Sequence, residues 1–254
     1  MVGSRWDSAA WRRGALYCWF ASASLGIATM AEAQVAPQGA TQPPGKAAPT
    51  VYEPGDVYLA GSRVYIFVDK RGIGHEHAVV GQLKQGRLQL DAPQNAGQLV
   101  FDMKSFAADT EEARQYLGLP GTTDPSTQQQ VNANMLSTAV LDAAHFPTAT
   151  FTVRSVTKLP QPSSRKLPQY QLDGDFLLHG ATLPIQAVAD AEENGGWIHL
   201  RGGFTMLQTQ FGMRPFTKAF GAVGVADELK IYGDLWLSKQ RQAVAAGATM
   251  PAPR

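Results

Sequence analysis

The chain of 254 residues is 44% hydrophobic and 17% charged, with a net charge of +1 at pH 7. This composition is ordinary for a folded protein and excludes the collagen-like, disulfide-scaffold and disordered classes. A net charge near zero provides no broad basic surface for a phosphate backbone, so nucleic acid is not an expected partner. The single cysteine is Cys18. The rest of the chain therefore has no thiol for a disulfide, a cysteine nucleophile or a thiolate metal site.

The first 33 residues have the pattern of a secretory signal peptide. Arg5, Arg12 and Arg13 precede an apolar run over residues 15–30, and the small-x-small cleavage pattern follows at residues 31–33. An uncleaved membrane anchor is the alternative. Serine and glycine dilute the run, however, and it is shorter than the ~20 apolar residues that a span requires. We therefore expect export to the periplasm and no transmembrane segment in the mature chain.

Two segments of low apolar content flank the central part of the chain. Residues 34–50 are rich in proline, glycine, alanine and glutamine, and residues 240–254 are similarly poor in large apolar side chains. Such segments bury too little surface to offset the entropy cost of ordering, so both are predicted to be flexible. The folded domain is predicted over residues 51–239.

Short apolar segments rich in β-branched and aromatic residues dominate this domain, and turn-forming residues bound each of them. Within residues 169–178, apolar residues such as Leu172 and Phe176 alternate with polar ones, as on a strand with one buried face. Gly174 and Gly233 within strands predict tight curvature or close backbone approach. The predicted strands are 63–69, one strand or a strand pair within 78–90, 97–103, 149–156, 169–178, 181–189, 197–204 and 229–237.

Helix is scarce. Thr110 and the acidic residues after it predict a helix that ends near Leu117. Ser126, three residues before Gln129, predicts the cap of a second helix that ends near Leu136. The other connections are short, so successive strands are expected to be antiparallel neighbours. The predicted fold is all-β, with about eight antiparallel strands and a short helical insertion between the third and fourth. Periodicity alone leaves a closed barrel and a sandwich open.

Four motifs of the chain point to one family. They are His-Phe-Pro-Thr-Ala-Thr-Phe at 145–151, Gly-Asp-Phe-Leu-Leu-His-Gly-Ala-Thr-Leu-Pro at 174–184, the strand leading to Phe-Gly over 203–212, and Asp-Glu-Leu-Lys-Ile at 227–231. Together they resemble the motifs of the YceI-like family of polyisoprenoid-binding domains. The resemblance implies an eight-stranded antiparallel, lipocalin-like barrel whose interior takes an isoprenoid chain, such as a polyprenyl phosphate or a quinone tail. The family's early His-Ser and His-Leu-Gly elements are missing, and residues 109–124 form an enlarged segment, so head-group recognition is expected to differ.

Apolar residues on the inner faces of such a barrel are predicted to line a lipid tunnel. Eight strands leave an interior wide enough for side chains or for one slender ligand. A solid core is the alternative, because the same residues also pack against one another in most proteins. The predicted lining residues are Tyr65, Phe67, Phe101, Phe151, Tyr170, Leu172, Phe176, Ile185, Leu200 and Phe204.

The polar candidates for contact with a head group lie near the second predicted strand. His75 and His77 would share one face of a strand, about 7 Å apart. Together with Arg71 they are predicted to meet an anionic head group. A metal ion would need a third ligand, for which Glu76, His145 and His179 are the candidates considered. No metal site is predicted.

The function expected from these patterns is that of a non-catalytic periplasmic carrier for an isoprenoid or similar amphipathic lipid. No cofactor is expected other than a bound isoprenoid or quinone-type lipid. The sequence contains neither a nucleophile elbow nor a glycine-rich phosphate loop. The alternatives are a metal-binding protein or enzyme that uses His75 and His77, and a solid-core barrel that binds a protein partner. The identity of the lipid and the oligomeric state stay open.

Overall fold

The structure of the chain, a computed structural model, describes residues 49–245. The predicted signal peptide, nearly all of the predicted linker and the last nine residues of the predicted tail lie outside the described residues. Eight of the strands in the described part are long, and two short helices follow the third of these.

Eight antiparallel strands form a closed barrel. They are β2 (Arg63–Gly72), β3 (His77–Leu88), β4 (Gly97–Ala108), β5 (Thr148–Lys158), β6 (Gln169–Leu178), β7 (Ala181–Asn194), β8 (Trp197–Leu207) and β10 (Val223–Ser238). Each strand pairs with the next, and β10 pairs with β8 on one side and with β2 on the other. This last pairing closes the sheet and decides between the barrel and the sandwich. The predicted all-β fold with eight antiparallel strands is confirmed.

The predicted helical insertion between the third and fourth barrel strands is also confirmed. It contains α1 (Glu111–Tyr116) and α2 (Pro125–Leu136). The side chain of Thr110 caps α1 by accepting a hydrogen bond from a backbone N–H of its first turn. The cap of α2 is Asp124 rather than the predicted Ser126, because the Asp124 carboxylate accepts the first free N–H groups of that helix.

Alternate residues of each barrel strand point into one continuous apolar core. In β6 the burial alternates along the strand, and the segment at 78–90 is a single strand, β3. Of the two glycines predicted to allow close approach, Gly174 does so, because a Cβ there would overlap the carbonyl oxygen of Thr152. At Gly233 a Cβ would find its nearest atom, in Leu235, at 3.8 Å. Gly233 therefore leaves free space on the inner face of β10.

One end of the barrel is closed by the segment that precedes β2. Val57 is 3% exposed and forms a β-bridge with Leu237 near the end of β10. Its N–H also donates to the carbonyl oxygen of Gly86 at 3.0 Å, so the segment is fixed to β3 as well. Val57 and Leu237 are both almost fully buried there, and this end of the barrel is called the solid end.

Helix α2 covers the opposite end of the barrel, where β4 finishes. Gln128 Nε2 donates to the carbonyl oxygen of Ala108 at 3.0 Å, and Asn132 Oδ1 accepts from the N–H of Ala108 at 2.7 Å. The helix thereby satisfies backbone groups of Ala108, the last residue of β4. The end beneath α2 is called the mouth.

Short strands lie outside the closed barrel. β9 (Thr217–Lys218) pairs with the start of β10, and β1 (Thr50–Tyr52) pairs with β11 (Gln242–Val244). The prediction that residues 240–254 form a flexible tail is therefore wrong for β11. Tyr52 and Val244 pack against a cluster of Tyr58, Trp197 and Trp236 on the outer wall, and this apolar surface accounts for the order of both strands.

Among residues 49–245, neither helix is long and apolar enough to cross a membrane.

Replacing Gly174 by alanine should destabilise the barrel by about 1–3 kcal/mol, because the added methyl group overlaps backbone of β5. Gly233→Ala is the matched control, since it adds the same group on β10 where the nearest atom is 3.8 Å away. Urea unfolding of both variants gives the measurement. Equal midpoints for the two would contradict the close strand approach at Gly174.

Candidate functional site

Three cavities follow one another through the interior of the barrel. The mouth cavity has a volume of about 140 Å³, and the middle and deep cavities have about 70 Å³ each. The mouth and middle cavities share wall residues that include Phe106 and Met213. The middle and deep cavities share others that include Phe151 and Ile231. The interior is thus hollow in three adjoining compartments with side chains between them.

The mouth cavity lies between the barrel wall and α2. Val131 and Met135 of the helix form its cover, and strand residues such as Val79 form its apolar wall. Its polar wall residues are His77, Asn134 and Gln208.

Aromatic rings and glycines shape the two inner cavities. The ring of Phe176 makes edge-on contacts with Phe204 at a centroid distance of 5.7 Å and with Phe101 and Phe151 at 6.3 Å. The deep cavity is bounded by glycines of β8 and β10, including Gly233, where no side chain fills the space. The free volume therefore results from small residues at inward positions and from rings held against each other.

A polar cluster of His75, His77, Asp109 and Arg114 lies at the mouth and is called the mouth cluster. His77 Nδ1 is 2.7 Å from Asp109 Oδ2, and His75 Nε2 is 3.8 Å from the same oxygen. The two imidazole rings are 4.5 Å apart between centroids. His77 also lines the mouth cavity, so the cluster and the cavity are contiguous.

Asp109 is the buried centre of the mouth cluster. Its Oδ1 accepts hydrogen bonds from Arg114 Nη1 at 3.0 Å and from the N–H of Ala78 at 3.1 Å. Burial alone would raise the pKa of Asp109, but the hydrogen bonds from His77, Ala78 and Arg114 outweigh burial and lower the pKa to about 2. Its backbone has a φ of 54°, in the left-handed region that few residues other than glycine adopt.

Arg114 ties the enlarged segment at 109–124 to this carboxylate. Besides Asp109, its guanidinium donates to the carbonyl oxygen of Gly121 at 3.0 Å and to that of Pro120. The loop after α1 therefore folds around Arg114, which in turn fixes the orientation of the Asp109 side chain.

The sequence model of the YceI-like domain family matches residues 57–236. This chain belongs to the YceI-like family. The family assignment suggested by the four sequence motifs is thereby confirmed.

Solved structures that are similar to this chain include two whose matches cover 72% of it. BcnA of Burkholderia cenocepacia is 18% identical, with a TM-score of 0.48 over 100% of its length. A polyisoprenoid binding domain from Saccharophagus degradans, implicated in plant cell wall breakdown, is 11% identical, with a TM-score of 0.48 over 97% of its length. The Campylobacter jejuni YCEI protein is 11% identical, with a TM-score of 0.40, and the match covers 62% of this chain and 83% of that protein. No curated protein matches the chain significantly.

The inner wall of this YceI-like barrel contains most of the predicted lining residues. Tyr170 and Ile185 belong to the same core but do not line the three cavities described above. Contact of any of these residues with a ligand stays a prediction. The predicted residues in the walls of the middle or deep cavity are Phe101, Phe151, Leu172, Phe176, Leu200 and Phe204.

Tyr65 and Phe67 do not line the interior, so this part of the prediction is wrong. Tyr65 stacks on Tyr116 of α1 at a centroid distance of 3.6 Å, and its hydroxyl donates to Glu112 at 2.9 Å. Phe67 lies under the ammonium group of Lys230, 5.4 Å from the ring centroid. Both faces of β2 are apolar because α1 covers part of the outer face. Hydropathy alone therefore could not identify the inner one.

The two histidines do not share a strand face as predicted. His75 lies in the turn before β3, and His77 is the first residue of β3. The turn brings their rings closer than the extended spacing of about 7 Å would. Arg71 is exposed at the end of β2, opposite Gly224, and the arginine of the mouth cluster is Arg114.

None of the three side chains considered as a third metal ligand belongs to the mouth cluster. Glu76 forms an ion pair with Lys70 at 2.8 Å, and His145 Nδ1 is 2.9 Å from a carboxylate oxygen of Asp142. His179 occupies the turn between β6 and β7, where its Nδ1 donates to a backbone carbonyl oxygen. The third side chain beside His75 and His77 is that of Asp109. Sequence reasoning missed it because its partner His77 is 32 residues away along the chain.

Replacing Asp109 by asparagine should destabilise the protein at neutral pH by roughly 2 kcal/mol, because a carboxylate with a depressed pKa stabilises the folded state. The folded pKa is about 2 and lies below that of the unfolded chain. The stabilisation is therefore complete above pH 4 to 5 and is lost as the pH falls from about 4 toward 2.

Urea unfolding of wild type and Asp109→Asn at pH 7, 4 and 3 measures this difference. Glu228→Gln, which removes the same charge at an exposed position, should behave like wild type throughout. A stability difference for Asp109→Asn that does not shrink on acidification would show that charge is not the cause.

Proposed function

We propose that this YceI-like barrel is a periplasmic carrier for an isoprenoid or a similar amphipathic lipid and that it performs no catalysis. The observation that carries the proposal is the series of adjoining apolar cavities that begins at the mouth cluster and leads toward the solid end of the barrel. An apolar tail would enter the cavities, and a polar head group would stay at the mouth.

The dimensions of the cavities favour a thin chain over a bulky ligand. An apolar cavity of about 150 Å³ takes a molecule the size of benzene, and the mouth cavity is of that order. A longer tail would pass from one compartment to the next by displacing the side chains between them, among which Met213 is the most adaptable. Each isoprene unit that enters would contribute on the order of 3 kcal/mol before the costs of binding.

The composition of the cavity walls supports ligand binding rather than catalysis. The three described cavities are bounded by apolar residues and glycines, with His77, Asn134 and Gln208 as the polar residues, all at the mouth. A head group with negative charge would there meet His77 and, from the exposed side, His75 and Arg71. The predicted signal peptide is the basis for the periplasmic location.

Native mass spectrometry of the protein purified from its own periplasm tests the proposal. Collision release should yield about one lipid per chain, with masses that differ by one isoprene unit. Bare protein in every charge state, from a preparation never exposed to detergent, would contradict it.

Filling the deep cavity should shorten the tail that the barrel holds. Gly233→Val places two methyl groups into this cavity from the inner face of β10. We expect about a tenfold or greater loss of affinity for a long isoprenoid alcohol and little change for one of two isoprene units. Lys230→Val, which adds valine to the exposed face of the same strand, is the matched control. No loss for the long alcohol would mean that the tail does not reach the deep cavity, and an equal loss for both alcohols would mean that the substitution disturbs the barrel as a whole.

A further inference from the structure

Three side chains of the mouth cluster place ligand atoms around one point. His75, His77 and Asp109 each offer one ligand atom, and these three atoms all lie within 4.8 Å of one another. Among residues 49–245 this is the one group of three histidine, cysteine or acidic side chains with such spacing. Two imidazoles and one carboxylate form a donor set that suits Zn²⁺ and its neighbours in the first transition row.

We propose that His75, His77 and Asp109 bind a divalent transition-metal ion of the Zn²⁺ class at the mouth of the barrel. Metal–ligand bonds of about 2.0–2.2 Å in tetrahedral geometry place ligand atoms about 3.3 Å apart. The observed separations from Asp109 Oδ2 are 2.7 Å to His77 Nδ1 and 3.8 Å to His75 Nε2. Changes of about 0.6 Å in these two separations would match the tetrahedral spacing, and the ion would then replace the hydrogen bond between His77 and Asp109.

The surroundings of Asp109 direct one of its two carboxylate oxygens at the histidines. Arg114 and the N–H of Ala78 occupy Oδ1, so Oδ2 is directed at the two histidines. Ligating carboxylates in proteins are commonly held in this way by hydrogen bonds to the oxygen that does not bind the metal.

Three protein ligands leave a fourth position for an outside ligand, as in zinc sites that bind substrates. Because His77 also lines the mouth cavity, a phosphate or carboxylate oxygen of a ligand in that cavity would lie within reach of the ion. This second step rests on the proposed function, whereas metal binding itself does not. Coordination of the head group by the ion would let the barrel select charged head groups over neutral ones.

Titration of the EDTA-dialysed mature protein with Zn²⁺ and Co²⁺ tests the site. Isothermal titration calorimetry should give one equivalent of Zn²⁺ per chain. Co²⁺ should produce visible absorption bands of a low-coordinate site with nitrogen ligands. Absence of saturable binding for both ions would overturn the proposal.

Single substitutions assign the ligands. His75→Ala and His77→Ala should each lower the affinity for Zn²⁺ at least about tenfold and abolish the Co²⁺ bands. The His75 side chain is 49% exposed, so its loss should leave the fold intact by circular dichroism. His145→Ala is the matched control, since it removes an imidazole from another histidine–aspartate pair, with a 2.9 Å contact, away from the mouth cluster. Unchanged affinity in both His75→Ala and His77→Ala would place the metal elsewhere and refute the assignment.

Affinities for geranylgeranyl phosphate and geranylgeraniol, with and without Zn²⁺, separate the two steps. Zn²⁺ should tighten binding of the phosphate about tenfold or more and leave the alcohol unchanged. If Zn²⁺ binds but neither affinity changes, the head-group step is wrong and the metal site stands. If both lipids bind but no metal does, the metal site is wrong and the carrier function stands.

Discussion

Hydrogen bonding of β10 to both β8 and β2 is the constraint on which the rest of the structure depends. This 16-residue strand pairs with β8 over its second half and more, and with β2 along most of the other edge. Closure leaves the barrel sheet with no edge along β2 or β10 and assigns every alternate residue to an enclosed interior. Ile231 of β10 pairs with Ile66 of β2 on one side and with Phe204 of β8 on the other. Once the barrel is closed, the size of inward side chains alone decides whether space is left.

The insertion between β4 and β5 provides the polar residues and the helical cover at the mouth of the barrel. Helix α1 packs on the outer wall through Tyr116 and supplies Arg114 to the buried carboxylate of Asp109. Helix α2 binds the end of β4 through the backbone of Ala108 and covers the mouth cavity. One insertion thus supplies both the cover and the fixed acidic group.

The sequence predicted those elements whose formation depends on residues close together in the chain. Period-two alternation located the strands, and capping patterns located α1 correctly and α2 to within two residues of its true cap, because neighbours along the chain determine these signals. The carboxylate of Asp109 was missed because its contacts with Ala78 and His77 form only when β3 and β4 lie side by side. Tyr65 was misassigned for a similar reason, since a helix that follows β4 in the chain covers it. Strand β11 is only three residues long and owes its order to aromatic rings on distant strands.

A hollow interior carries an energetic cost that the rest of the barrel has to offset. The side chains that line the cavities lose van der Waals contacts on the side that faces the empty volume. The solid end with Val57 and Leu237, and the aromatic cluster of Tyr58, Trp197 and Trp236 outside it, supply compensating burial. These stabilising contacts lie away from the mouth, so they do not compete with a ligand for space. Stability is thereby concentrated at one end of the barrel, which leaves the other end free to hold empty volume and a strained, buried aspartate.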